Sequence, residues 1–201
     1  MTRHAIEGQL LWHPIIPVVE IDDAQHAPAL AEALLEGGIS VIDFTESANP
    51  VEIGYFDRGP LSDEDLMLGG FWSAYWYGDK IYGTEIIRGL DVLELLPSAH
   101  LSAAEIAAAG LADQGRAFNP QQQYPVSWPD HPVVAQAYID QLQRSGVLEA
   151  QAASQMVSFV DAAANGEPEA SEQAIMMLRQ VSATGRDGQR LERLRALLQG
   201  M

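Results

Sequence analysis

The chain has 201 residues, 47% of them hydrophobic and 19% charged, with a formal net charge of −17. That length suits one domain or two small ones, and the apolar share suits a packed core rather than a disordered chain. The acidic balance argues against nucleic acid or an anionic membrane surface as a partner, and the absence of cysteine removes disulfides, thiol catalysis and thiolate metal sites.

Three stretches differ in texture. Residues 1–38 read as a β-α segment. Residues 15–21 are a short Ile- and Val-rich run suited to a buried strand. Asp22 and Asp23 can cap the Ala- and Leu-rich helix expected over 24–35, and Gly37-Gly38 ends it. Pro28 removes a backbone donor within that helix. No basic segment leads into a continuous apolar run here, so no signal peptide is expected, and the chain reads as cytoplasmic as written. No stretch approaches the ~18 to 20 apolar residues that a membrane span needs.

Residues 39–96 carry strand patterns. The first covers 39–45 and holds Asp43 in its middle. Others fall at 51–56, 71–77, 80–86 and 90–95, and Gly78-Asp79 places glycine where a type II′ hairpin requires it. Short turns between these runs predict one antiparallel meander of four to five strands. Residues 97–201 are helical in pattern. Ser102 and Glu105 have capping-box spacing before an Ala-rich helix, and residues 119–132 form a Pro- and Gln-rich loop. A helix is predicted over 131–145, with Val134, Tyr138 and Leu142 on one face, ended by Gly146. Further helices over 148–164, 168–183 and 189–199 complete a small bundle or set of helical hairpins.

Few residues offer chemistry. Asp43 is a candidate general acid or base, although the sequence alone does not indicate which group would act with it. Lys80, the only lysine, is a candidate Schiff-base nucleophile, yet it directly follows a Gly-Asp turn, where solvent exposure is expected. The five histidines, His4, His13, His26, His100 and His131, show no metal spacing, and His100 and His131 adjoin helix starts, where loop or capping roles fit. Ser62-Asp63-Glu64-Asp65 lacks the glycine and spaced oxygens of a calcium loop and reads as a solvated helical turn. Neither a metal nor a cofactor is expected. Among the aromatics of 71–82, Trp72, Tyr75, Trp76 and Tyr82 are candidate ligand-stacking residues, though packing within the sheet explains them as well. Met156, Met176 and Met177 suit core filling, and Arg186, Arg190, Arg193 and Arg195 suit surface ion pairs.

Two resemblances run end to end. Residues 14–43, PIIPVVEIDDAQHAPALAEALLEGGISVID, resemble the N-terminus of the KDPG/KHG aldolases. That resemblance implies a barrel enzyme acting on a 2-keto acid through a lysine Schiff base, with a catalytic glutamate and a Leu-Arg pair on the second strand. Asp43 stands at the glutamate position, Glu46-Ser47 stand at the Leu-Arg position, and no later segment resembles the lysine-bearing strand. About residues 37–165, including GGFWSAYWYGDKIYGTEIIRGLDVLEL, LSAAEIAAAGL, FNPQQQ and HPVVAQAYIDQLQRSG, resemble the C-terminal end of LVIVD-repeat proteins. That family is taken to form β-propellers and is often exported, and the resemblance implies one blade and the last strand of a preceding one.

The sequence is therefore read as α+β: an N-terminal β-α unit, one propeller-blade-like antiparallel sheet of four to five strands, and a C-terminal helical bundle. The seam at GGISVID suggests a truncated, fused or mis-started chain. The favoured function is a non-enzymatic binding or structural module of the LVIVD-repeat kind, which can self-associate through open sheet edges or the aromatic face. A truncated KDPG-type aldolase is the alternative.

Overall fold

The computed structural model describes residues 38–43, 48–59, 61–62, 65, 67, 69–112 and 126–201. The strand expected over 15–21, the helix over 24–35, and Glu46 and Ser47 lie outside the described residues. Two compact units form: one holds the described strands through Leu95, and the other comprises Leu96–Met201 with the turn Tyr77–Asp79.

The strand unit contains β1 (Ile39–Asp43), β2 (Val51–Phe56), β3 (Phe71–Tyr77), β4 (Lys80–Glu85) and β5 (Gly89–Leu93). These build two sheets, β1-β2 and β3-β4-β5. β1 and β2 run antiparallel, Ile39 opposite Phe56 and Asp43 opposite Val51, with the register shifting between Val41 and Ile42. β4 and β5 are also antiparallel, Ile81 opposite Leu93 and Glu85 opposite Gly89. Gly78, at φ +63°, opens the hairpin between β3 and β4. No described non-glycine residue has positive φ, so Asp79 does not, and the turn fits type II′ rather than type I′.

The expected single blade-like sheet of four to five strands is thus corrected. The short connection that the pattern predicts between β2 and β3 does not pair them. Gly59 and Gly70 both take positive φ there, and the chain does not bring β3 back beside β2. β2 takes its hydrogen bonds from β1 instead. Two small open sheets result, and neither closes as a propeller or barrel does.

The two sheets meet through apolar side chains. Ile39 and Ile81 are buried, and the rings of Phe56 and Phe71 meet edge-on with centroids 6.0 Å apart. Gly83 makes this approach possible. A Cβ there would sit 2.6 Å from Ile39 Cδ1 and 2.7 Å from Phe71 Cε1, well inside van der Waals contact.

The helical unit contains α1 (Ala103–Gly110), α2 (Pro132–Arg144), α3 (Ala150–Ala164), α4 (Pro168–Leu178) and α5 (Gly185–Gln199). α2 to α5 form a closed ring in which each packs on the next and α5 returns to α2, while α1 lies on α2. Ile139 and Leu142 from α2, Met156 and Val160 from α3, Leu178 from α4, and Leu191, Leu194, Leu197 and Leu198 from α5 fill the centre. Each fully buried leucine contributes roughly 1.5–3 kcal/mol relative to exposure.

Caps set the helix starts. The Ser102 hydroxyl accepts from Glu105 N, and the Glu105 carboxylate accepts from Ser102 N, a complete capping box. His131 caps α2 through Nδ1, which accepts from Val133 N at 3.2 Å, and Pro132 occupies the first turn, where no donor is lost. Glu105 is nearly buried and accepts two bonds from the Arg144 guanidinium, at 2.8 and 2.5 Å. Burial acts to raise its carboxyl, but the bonds from Arg144 and Ser102 outweigh that and hold it below the ordinary carboxylate range.

The open face of the three-stranded sheet

Pleating divides β4 and β5 into two faces. Ile81, Gly83, Glu85 and Asp91 are buried on one. On the other, Tyr82 stands opposite Val92 and Thr84 opposite Leu90. Leu90 is 62% exposed and Val92 53%. The Ser73 and Thr84 hydroxyls share a hydrogen bond at 2.8 Å, which places Ser73 on this second face. The two-residue turn at Gly78-Asp79 sets Tyr75 opposite Tyr82 and so on this face as well. The result is an open surface of Ser73, Tyr75, Tyr82, Thr84, Leu90 and Val92. Extending the β4-β5 register by one pair brings Lys80 opposite Glu94 at its rim, where Nζ and Oε1 form an ion pair at 3.2 Å.

The buried face is polar at one end, and its polar groups are held. The Glu85 carboxylate accepts from Gly70 N and Ile87 N at 2.8 Å, and from Arg88 N. Burial pushes the Glu85 carboxyl up, and the backbone donors of Arg88, Gly70 and Ile87 more than reverse it, leaving it below the ordinary range. This carboxylate fastens the turn between β4 and β5 to the start of β3. Asp91 pairs with Arg58, which ties β5 to the segment after β2. Among the described residues no donor reaches the second Asp91 oxygen.

The candidate residues fall in different places. Asp43 ends β1 and is exposed, in a different sheet from Lys80, which starts β4. Of the four aromatic candidates, Tyr75 and Tyr82 share the open face. Trp76 is half-buried and, by the pleat, on the opposite side from Tyr75. Trp72 is 69% exposed near the start of β3. Leu90 and Val92, read from the sequence only as strand residues, complete the open face. The signal that could have found them is the alternation Leu90, Val92, Glu94 set against Tyr82 and Thr84 once the turn at residues 86–88 is fixed. Ser62 Oγ accepts from Asp65 N at 3.0 Å, a local turn bond. Among the described residues no group of three or more His, Asp or Glu side chains could hold a metal ion. Among them too, no helix is long and apolar enough to cross a membrane.

No protein-family model matches this chain, and neither curated proteins nor solved structures give a match. Together with the two open sheets, this corrects both resemblances. Neither the LVIVD-repeat, propeller-like reading nor the aldolase-like one stands, either as a fold or as a function. The join inferred at GGISVID rested on those two resemblances and loses its basis with them. The strings that suggested them are strand and helix texture, which unrelated chains share.

Proposed function

We propose that this chain is a self-associating binding protein in which two copies meet through the open face of the three-stranded sheet. The observation that carries this reading is the set of exposed side chains Tyr75, Leu90 and Val92 beside Tyr82 on one face of the sheet. Surfaces of that kind gain from cover, because apolar area removed from water contributes about 25 cal/mol per Å². The occupant follows from charge. The chain carries a net charge of −17, so two copies repel over most of their surfaces. This face is uncharged apart from the mutually paired Lys80 and Glu94 at its rim, and it lets like copies approach. Stacked sheets lie about 10 Å apart, a spacing that tyrosine and leucine side chains fill. The same net charge supports a partner other than nucleic acid.

Sedimentation equilibrium of the full chain tests this. The wild type is expected at twice the 21.9 kDa chain mass, and Val92→Glu and Leu90→Lys at the chain mass with an unchanged far-UV spectrum. Raising salt from about 0.02 to about 0.5 M should tighten the dimer, because it screens like-charge repulsion. A wild type that stays monomeric at about 100 µM, a concentration at which even weak specific dimers assemble, would overturn the proposal.

A further inference from the structure

The helical unit carries a second surface, separate in its residues and in its chemistry. Ala103 and Ala104 of α1, Val133, Gln136 and Asp140 of α2, and Val157 of α3 line an open groove of about 440 Å³. Val133, Gln136 and Asp140 lie at i, i+3 and i+7, so one stripe of α2 forms its floor. Alanines on α1 keep the near wall low. Gln136 Nε2 donates to Asp161 Oδ1 at 2.7 Å and so links α2 to α3 beside the groove.

Asp140 is the unusual member. Helix α2 has apolar residues at its buried positions, yet this half-buried carboxylate faces an apolar groove. Among the described residues it makes no hydrogen bond and no ion pair. The cation one turn further on, Arg144, is held by both oxygens of Glu105. A carboxylate beside apolar surface, without a cation of its own, attracts one from outside.

We infer that this groove docks a basic amphipathic helical segment of a partner protein, with apolar side chains against Ala104, Val133 and Val157 and a lysine or arginine on Asp140. The groove volume admits two or three aliphatic side chains, the number that one helical face presents over two turns. The acidic net charge of the chain adds attraction at long range, and Asp140 supplies the fixed point that sets register. This site takes a cation, whereas the sheet face takes the uncharged face of a second acidic copy, so the two respond to salt in opposite directions.

The test uses the full chain and a fluorescently labelled helical peptide of leucine and lysine, with lysines on one face, read by anisotropy at physiological salt. A peptide with glutamate in place of lysine serves as the comparison. Asp140→Asn should weaken the lysine peptide about five- to tenfold and flatten its salt dependence. Glu172→Gln removes the same charge from an exposed position on α4 and should change binding less than about twofold. Val157→Gln should weaken it by a similar factor to Asp140→Asn through the apolar wall. Equal losses in Asp140→Asn and Glu172→Gln would mean attraction to the general field and would overturn the inference. So would no loss in Asp140→Asn, equal binding of the glutamate peptide, or no binding by the wild type. Matching melting curves for all variants keep misfolding apart from lost contact.

Discussion

Replacing Glu105 should separate two contributions that meet in one carboxylate. Glu105 closes the capping box of α1 by accepting from Ser102 N at 2.7 Å, and it holds Arg144 of α2 with both oxygens. Losing the cap bond costs about 1 kcal/mol. The ion pair lies between two limits: exposed pairs contribute about 0.2–1 kcal/mol, and breaking a fully buried one costs about 3–5 kcal/mol. Side-chain exposure is 7% for Glu105 and 36% for Arg144, so water reaches one partner and roughly 1–2 kcal/mol is the expected share. Glu105→Ala should therefore lose roughly 2–3 kcal/mol. Glu105→Gln keeps an acceptor for Ser102 N and should lose roughly 1–2 kcal/mol. Urea denaturation followed by far-UV circular dichroism reads both. A double-mutant cycle with Arg144→Ala should give a coupling of roughly 1–2 kcal/mol. Acid supplies a second readout. The folded-state carboxyl is held below its unfolded value of about 4.3, so this stability is fully present above that pH and is lost as pH falls through the folded value. Glu105→Gln should remove that part of the acid dependence. A coupling under about 0.5 kcal/mol, or an unchanged acid profile in Glu105→Gln, would refute the reasoning.

Gly83→Ala should destabilise the strand unit by about 1–3 kcal/mol, since its methyl would press on Ile39 and Phe71 and force the two sheets apart. Thermal melting of the variant measures this, and a melt identical to wild type would show that the sheets do not meet there. Arg195 donates to the carbonyls of Leu178 and Val181 at 2.7 and 3.0 Å, past the end of α4. Arg195→Met keeps the apolar stem, leaves those carbonyls without this donor and should cost about 1–3 kcal/mol, with amide exchange rising most over residues 175–183.

The helical unit was legible where its signals are local. The Ser102 and Glu105 spacing does form the box it suggested, and His131 does act at the start of α2. The end of α4 was not legible. The pattern ran on to residue 183, but the helix stops at Leu178, and the chain beyond is held by Arg195, a partner distant in sequence. α5 starts at Gly185 rather than at residue 189, and Gly188 lies in its first turn, where a Cβ would sit 2.8 Å from Ala183 O. In the strand unit the runs were visible, but their pairing was not. Period-two alternation marks which residues share a face of a strand and says nothing about its neighbour. That choice depended on Gly83 opening room for Ile39 and Phe71, a tertiary fact. The open face was half legible for the same reason: Tyr75 and Tyr82 stand out as aromatics, while Leu90 and Val92 join them only through the register of β5.

The chain contains no cysteine, so a single introduced thiol reports one surface without background. Val92→Cys treated with a short bismaleimide should give a covalently linked dimer, because sheets stacked about 10 Å apart hold facing thiols within reach of such a linker and beyond that of a direct disulfide. Gln151→Cys, exposed on α3, should remain monomeric under the same conditions. Equal cross-linking at both positions, or none at Val92→Cys and at Thr84→Cys beside it, would contradict association through this face.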